Sequence, residues 1–197
     1  MIKFQDLCQA RPYRKFQDLY TKASSHDQKS IEAICISSYS DNEVDSRFVN
    51  LKYIIGDEWI FFSNYKSPKA LQFLNNHNIA CVFYWNKTNT QIRIKAKIKK
   101  TSNSFSDNHF NNRSREKNAL AISSNQSELI GSYENVIKNY EEIIDNKDLI
   151  LKRPAYWGGY AFIPYYFEFW EGHDSRLNKR EVFYKNGNDW SSSIIQP

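Results

Sequence analysis

Hydrophobic and polar positions alternate along much of the chain, and a period of two is typical of β-strands. The longest such run is 157–184, where aromatic residues alternate with other side chains after a Gly-Gly pair. Residues 91–99 alternate strictly, with Ile and Ala on one face and Arg and Lys on the other. Shorter apolar runs predict further strands at 31–37, 47–55, 59–63 and 80–85. Between them, 38–45 reads as a polar turn and Gly56 with Asp57 as a hairpin turn.

Helical spacing of apolar residues replaces the alternation in a few segments. A helix is predicted from Pro12 onward, where Phe16 and Tyr20 share a face. Ser67 and Pro68 suit the N-cap and first residue of a second helix over 67–76, and 133–144 is amphipathic. Residues 102–131 are polar helix or loop, residues 1–10 carry no strong pattern, which leaves disorder there open, and Gly187 suits the last hairpin turn. With no repeat or linker, the chain is predicted to be a single mainly β domain with peripheral helices over residues 1–197.

Composition narrows the class of protein and of ligand. The 197 residues are 41% hydrophobic and 25% charged, as in ordinary globular proteins, and the net charge of +5 favours an anionic ligand. Neither the three cysteines nor the four histidines show metal-ligand spacing, so no metal is expected and a reducing compartment is favoured. No signal-peptide core or membrane-length apolar run occurs, and a cytoplasmic location is expected. The basic row of 93–99 is interpreted as a solvated sheet face, and nucleic-acid binding through it lacks a recognisable motif.

Familiar catalytic devices do not occur in this sequence. It has no Gly-rich phosphate loop, no nucleophile elbow and no CxxC pair. The segment EFWEGHDSRLNKR, residues 168–180, places Arg176 and Arg180 just after Trp170 and a short polar turn. Arginine suits planar anionic groups, because its fork of donors matches a carboxylate or phosphate. This segment is therefore a candidate binding element.

The same segment resembles the C-terminal signature of the pyridoxamine 5′-phosphate oxidase family, which are FMN-dependent flavoproteins with the pattern EFWQG followed by RLHDR. Further motifs similar to the family's occur in order: SRFVNLK (46–52), IFFSNYKSPKA (60–70), YWNKTNTQIRI (84–94), NQSELI (125–130) and RPAYWGGYAF (153–162). The resemblance extends from about Phe16 to Pro197. It implies an FMN-binding split β-barrel and a homodimer in which residues from two chains complete each site.

The resemblance also implies which residues hold FMN. Arg47 and Lys69 would bind its phosphate, and Ser63 would add a hydroxyl. The residues implied to meet the isoalloxazine and ribityl or to line the site are Phe48, Val49, Asn50, Lys52, Phe62 and Gln91. Those implied to come from the partner subunit are Gln126, Ser127, Trp170 and Arg180. Pro68 stands where the family has an arginine, so one phosphate contact is missing.

On the substrate side, the positions that match the family's phosphate-binding residues are Lys52, His109, Arg113 and Lys117. Among them, His109 replaces a tyrosine and Lys117 a serine, so the positive charge is kept or increased. Arg176 and Asn178 match the catalytic pair that flanks the reacting carbon. Asn178 replaces a histidine, and an amide cannot carry a proton charge near neutral pH.

The resemblance implies an oxidase that converts pyridoxine or pyridoxamine 5′-phosphate into pyridoxal 5′-phosphate, with O2 reduced to H2O2. Its FMN would accept a hydride from the substrate. Two alternatives remain open. A divergent member could oxidise another reduced heterocycle, as in the phenazine-pathway branch, or the changed positions could mark a flavin- or pyridoxal phosphate-binding protein with a decayed active site.

Overall fold

The structure is a computed structural model that describes residues 1–146 and 148–197. The described helices are α1 (Arg11–Ser25), α2 (Pro68–Asn75), α3 (Asn103–Asn111), α4 (Arg115–Ser123) and α5 (Tyr133–Asp145). The described strands are β1 (Lys3–Gln5), β2 (Ala33–Ser40), β3 (Glu43–Asn50), β4 (Tyr53–Ile55), β5 (Glu58–Asn64), β6 (Asn78–Trp85), β7 (Thr90–Lys100), β8 (Trp157–Glu171), β9 (Lys179–Asn186) and β10 (Asp189–Ile195). Within these residues, no helix is long and apolar enough to cross a bilayer.

The strands form one sheet that divides at β8. Along its main path the order is β1-β4-β5-β8-β7-β6-β2-β3, and only the β1–β4 pair is parallel. On one edge β8 pairs with β7. On its other edge β8 pairs first with β5 and then with β9, which carries β10. One strand thus joins both halves of the sheet.

A β-bulge lies near the middle of β8. Lys95 pairs with Tyr166 whereas Ala96 pairs with Pro164, so Tyr165 has no partner on β7. The extra residue shifts the alternation by one position, and Phe162 and Phe167 are therefore both fully buried. This bulge explains why the aromatic alternation of the sequence takes a step of three after Phe162.

Aromatic side chains dominate the core between α1 and the sheet. Helix α1 has Pro12 in its first turn, as predicted, and buries Tyr13, Phe16 and Tyr20 on one face. The ring centroid of Phe16 lies 4.4 Å from that of Trp59 on β5. Helix α5 forms where the amphipathic pattern predicts it, but none of its residues is buried.

Two predicted boundaries around β3 are wrong. Residues 38–45 are not a long turn, because β2 continues to Ser40 and the hairpin turns only at Asp41 and Asn42. Both turn residues have positive φ, 53° and 64°, which a two-residue hairpin turn of the primed type requires. Residues 47–55 are not one strand, because the chain leaves β3 at the fully buried Leu51 and β4 then pairs with β5.

Residues 1–10 are ordered, although the sequence leaves disorder open there. Residues 3–5 form β1, which pairs with β4. Ile2 is buried, and its backbone N–H donates to Tyr20 Oη at 2.9 Å. A three-residue strand carries too little alternation to be recognised from sequence, and long-range pairing fixes it instead.

The buried carboxylate of Glu168 joins three strands. Its Oε1 accepts hydrogen bonds from Arg180 Nε (3.0 Å) and Nη2 (2.7 Å) on β9. Its Oε2 accepts from Arg93 Nη1 on β7 (2.7 Å) and from Tyr166 Oη (2.9 Å). Burial raises the pKa of Glu168, but the hydrogen bonds from Arg180 and Tyr166 and the two arginine charges outweigh burial and lower the pKa.

Glu168→Gln should lower the free energy of unfolding by about 1.5–3 kcal/mol, because it removes the buried charge that accepts hydrogen bonds from two arginines. Urea denaturation measures this difference. The matched control is Glu142→Gln, because Glu142 forms an exposed pair with Lys138 at 3.9 Å. That change should cost less than about 0.5 kcal/mol. Equal losses at the two positions would contradict the structural role of Glu168.

Candidate functional site

A cleft of about 660 Å³ lies beside β3, β5 and the helices α3 and α4, and it gathers most of the predicted site residues. Those that line it are Phe48, Val49, Asn50, Lys52, Phe62, Ser63, Lys69, His109, Arg113, Lys117 and Gln126. None of the described residues that line the cleft is Asp or Glu. The cleft is therefore cationic, as an anionic ligand requires.

One end of the cleft holds the buried ammonium group of Lys69. Its Nζ donates to Ser63 Oγ and Ser67 Oγ, each at 3.1 Å. Burial, and to a lesser extent the nearby charge of Arg47, lower the pKa of Lys69 to about 8. A buried cation with hydroxyl partners only is energetically unfavourable, and an anion would relieve it. We call Lys69, Ser63 and Ser67 the lysine pole.

A second group of cations, Arg113, Lys52 and Lys117, also lines the cleft, and we call it the arginine pole. Arg113 Nη1 is buried without a hydrogen-bond partner, and the guanidinium lies 4.3 Å from the centroid of the Trp157 ring. Burial lowers the pKa of Arg113 to about 10 and also lowers the pKa of Lys52. An unsatisfied buried donor of this kind indicates a place for a ligand oxygen.

Nearly parallel aromatic rings also line the cleft. Phe62 and His109 stack with ring centroids 3.6 Å apart and an interplanar angle of 9°. Trp157 continues the stack, 5.3 Å from Phe62. The Tyr53 Oη and His109 Nδ1 atoms are 2.9 Å apart, within hydrogen-bond distance. Flat apolar walls with a few polar groups suit a planar heterocycle.

His109 is neutral at physiological pH in this environment. Burial lowers its pKa to about 4, and the positive charges of Arg113, Lys52, Lys3 and Lys117 act in the same direction. Neutral imidazole carries one donor and one acceptor nitrogen, so His109 can hydrogen-bond to a ligand without adding charge.

Five predicted cofactor residues lie outside the lining of the cleft, and Arg47 and Ser127 are two of them. Arg47 is turned toward its own strand neighbours: its Nη1 donates to Ser38 Oγ at 2.6 Å, and its Nη2 pairs with Asp45. Ser127 has a positive φ of 72° and does not line the cleft. Gln126, whose matching position implied a place in the partner subunit, instead lies in the cleft of its own chain. Its Oε1 accepts from Ser63 Oγ at 3.4 Å, because the chain after α4 passes the end of β5.

Gln91, Trp170 and Arg180 meet at a second, shallow cavity together with Arg93 and Glu168. Strand register explains this grouping, because Gln91 pairs with Trp170 and Trp170 pairs with Arg180 across β7, β8 and β9. These residues are brought together, but on a surface distinct from the cleft of the same chain.

The candidate catalytic residues Arg176 and Asn178 lie in the loop between β8 and β9. Arg176 is exposed with a φ of 61°, and Asn178 Oδ1 accepts the backbone N–H of His173 at 3.0 Å. Neither residue lines the cleft of its own chain.

Tyr53 and Trp157 are lining residues that the sequence did not single out as site residues. The available signal for Trp157 is the Gly-Gly pair that follows it. A Cβ on Gly159 would lie 2.5 Å from Thr101 Oγ1, so only glycine allows this close packing.

Comparison with known proteins finds a family match for the C-terminal part of the chain. Residues 157–197 match the family model described as the pyridoxine 5′-phosphate oxidase C-terminal dimerisation region. This match supports a homodimer, and the second cavity lies within or beside the matched residues.

Two relatives cover nearly the whole chain. A pyridoxine/pyridoxamine 5′-phosphate oxidase of Hydrogenovibrio crunogenus is 33% identical over 96% of this chain and 89% of its own length. The corresponding protein of Legionella pneumophila is 33% identical over 94% and 87%.

Two solved structures share the fold. PhzG from Burkholderia lata, in complex with tetrahydrophenazine-1-carboxylic acid, has a TM-score of 0.90 at 23% identity and covers 95% of this chain and 93% of its own. A pyridoxamine 5′-phosphate oxidase-related, FMN-binding protein from Nostoc punctiforme has a TM-score of 0.78 at 14% identity, covering 96% and 99%. These likenesses confirm the expected split-barrel fold, mainly β with peripheral helices.

The low pKa of His109 makes stability depend on pH with a definite sign. Its folded pKa is about 4 and its ordinary value 6.5, so on acidification the unfolded chain takes up the proton first. When the pH is lowered from about 7 to about 5, this single group should lower the free energy of unfolding by about 2 kcal/mol. His109→Phe should therefore lose less stability than wild type over this range in urea denaturation. The exposed His77→Asn is the control and should follow wild type; identical curves for all three proteins would contradict the prediction.

Proposed function

Because the chain belongs to the pyridoxine/pyridoxamine 5′-phosphate oxidase family, we propose that it is an FMN-dependent oxidase of phosphorylated B6 vitamers. The observation that carries the proposal is one cleft lined by two groups of cations and by stacked aromatic rings. A phosphorylated cofactor and a phosphorylated planar substrate together require two anion sites and a flat apolar surface. This cleft supplies all three.

The lysine pole fits the phosphate of FMN. Lys69 is a buried cation with hydroxyl partners only, and Gln126 adds an amide at the same place. Phosphate oxygens accept strong charge-assisted hydrogen bonds from such donors. Phe48, Val49, Asn50 and Phe62 would then line the path of the ribityl chain and the ring.

The arginine pole fits the phosphate of the substrate. The unpartnered Arg113 Nη1 would gain an acceptor, and Lys52 and Lys117 would add charge. The neutral His109 would hydrogen-bond to the substrate without further charge. Binding at this pole orients the heterocycle against the Phe62 wall, and orientation is a large part of what a protein contributes to a cofactor reaction.

FMN, held by Lys69, Ser63 and Gln126, would supply the redox chemistry, a two-electron oxidation of the substrate carbon with O2 as the final acceptor and H2O2 as its product. Pyridoxine 5′-phosphate would lose two hydrogens and become pyridoxal 5′-phosphate, whereas pyridoxamine 5′-phosphate would also take up water and release ammonia.

Two chains would complete each site. Gln91, Trp170 and Arg180 face away from the cleft of their own chain, and they lie within or beside the matched dimerisation region. In a homodimer they would approach the cleft of the other chain, together with the loop that carries Arg176 and Asn178. Ser127, next to Gln126, and Arg47, beside the lysine pole, would act as secondary contacts.

A second candidate substrate is a reduced heterocycle that carries a carboxylate. The similar PhzG structure contains tetrahydrophenazine-1-carboxylic acid. Arg113, Lys52 and Lys117 can pair with a carboxylate as well as with a phosphate. The aromatic wall also suits a larger ring system.

Peroxide production by the FMN-loaded protein separates these possibilities. We expect H2O2 with pyridoxine or pyridoxamine 5′-phosphate and little with unphosphorylated pyridoxine. Arg113→Met should lower kcat/KM at least about tenfold, because a charged hydrogen bond to phosphate is worth ~1.5–3 kcal/mol. Activity only on a carboxylated dihydro-heterocycle would favour the second candidate. If no substrate yields peroxide and none bleaches the flavin anaerobically, the oxidase proposal is wrong and the protein is a binding protein.

Asn178→His should raise turnover on pyridoxine 5′-phosphate, because a positioned acid–base group typically contributes ~10²–10⁴-fold. Initial rates of peroxide release measure the effect. Asn178→Ala is the control, because it removes the hydrogen bond to His173 N and supplies no base. A loss of activity with histidine would indicate that Asn178 belongs to the specificity for another heterocycle. If neither variant changes the rate of peroxide release, Asn178 has only a structural role, through its hydrogen bond with the backbone of His173 in the loop.

A further inference from the structure

An acidic residue lies beside the lysine pole and is paired with the predicted phosphate-binding arginine. Asp45 precedes Arg47 by two residues on β3, so the two side chains leave the same face of the strand. Arg47 Nη2 forms an ion pair with the Asp45 carboxylate. It also donates to Gln72 Oε1 at 3.3 Å, while Nη1 donates to Ser38 Oγ at 2.6 Å. Both terminal nitrogens of Arg47 are thus engaged by acceptors of the chain itself.

Asp45 and Arg47 belong to the same electrostatic cluster as Lys69. After burial, the charges that act on the pKa of Lys69 are those of Arg47, which lowers it, and Asp45, which raises it. Pro68, the first residue of α2, offers neither a side-chain donor nor a backbone N–H at this place. Few donors are therefore available to a phosphate here, and one of the strongest, the Arg47 guanidinium, is already paired with the Asp45 carboxylate.

We infer that Asp45 is a specificity-determining residue that competes with the cofactor phosphate for Arg47, which rests on the proposed position of the FMN phosphate at the lysine pole. For Arg47 to bind a phosphate oxygen, its guanidinium has to exchange Asp45 for the phosphate. The displaced carboxylate then lies near a like charge. Both effects weaken the binding of a phosphorylated flavin and leave an unphosphorylated flavin unaffected.

The exposure of the two side chains makes the exchange feasible. The Arg47 side chain is 17% exposed, whereas that of Asp45 is 50% exposed. Asp45 can therefore turn toward water when the phosphate arrives, while Arg47 stays at the site. Because one partner is half exposed, salt should screen the competition.

Titration of the flavin-free protein with FMN and with riboflavin, followed by quenching of flavin fluorescence, tests the inference. Asp45→Asn should tighten FMN binding by about three- to tenfold at low salt, because it removes a charge that costs ~1 kcal/mol at close range. Its riboflavin affinity should stay that of wild type. The matched control is Glu43→Gln, which removes an exposed carboxylate from the same strand and should change neither affinity. The gain should shrink at high salt.

Two further variants separate this inference from the site on which it rests. Lys69→Met should weaken FMN binding but not riboflavin binding. If it does not, the phosphate lies elsewhere, and both the site and the inference are overturned. If Lys69→Met weakens FMN but Asp45→Asn leaves it unchanged or weakens it, the inference alone fails, because Asp45 then only orients Arg47. A gain from Asp45→Asn that survives undiminished in an Arg47→Gln background would also overturn it, because the competition for Arg47 requires Arg47 and only the repulsion of the phosphate by Asp45 does not.

Discussion

The pairing of β8 with three other strands is the constraint on which both halves of the site depend. Its first residues pair with β5, which places Trp157 in the cleft beside Phe62. Its last residues pair with β9, which places Trp170 beside Arg180 at the second cavity. The bulge at Tyr165 lets both ends bury aromatic residues although the strand changes its neighbour. A shift of register in β8 would therefore disturb the cleft and the second cavity together.

The second cavity and the cleft differ in whether their charged side chains are paired within the chain. At the second cavity the buried carboxylate of Glu168 is satisfied by two arginines and a tyrosine, so the cations there are paired by the chain. In the cleft, Lys69 has only hydroxyl partners and Arg113 keeps a buried donor without one. Unpaired buried cations cost stability, and such sites are typically retained for ligands. Arg47, which does not line the cleft, differs from these cations because Asp45 partly compensates its charge.

Local patterns in the sequence predict the elements that local chemistry determines. Pro12 and Pro68 mark the starts of α1 and α2, and the strict alternation of 91–99 gives β7. The sequence misses features that long-range pairing determines: β1, the break at Leu51 and the bulge at Tyr165. The resemblance to a family supplies most of the cleft residues, because its motifs follow the strands. The family resemblance does not identify Asp45, because its ion pair depends on the conformation of the Arg47 side chain. It also does not predict that Gln126 lies in the cleft of its own chain.

In the proposed dimer, each site combines the cleft of one chain with the β8–β9 surface of the other. Mixed dimers of Lys69→Met and Trp170→Ala test this sharing, with the stoichiometry of tight FMN binding as the measurement. If the site is shared, each variant homodimer binds FMN weakly, while the mixed dimer regains one intact site that pairs an unaltered cleft with an unaltered Trp170. We predict one tightly bound FMN per mixed dimer. If the mixed dimer binds no FMN tightly, Lys69 and Trp170 serve the site of the same chain, and the proposed sharing of sites is wrong.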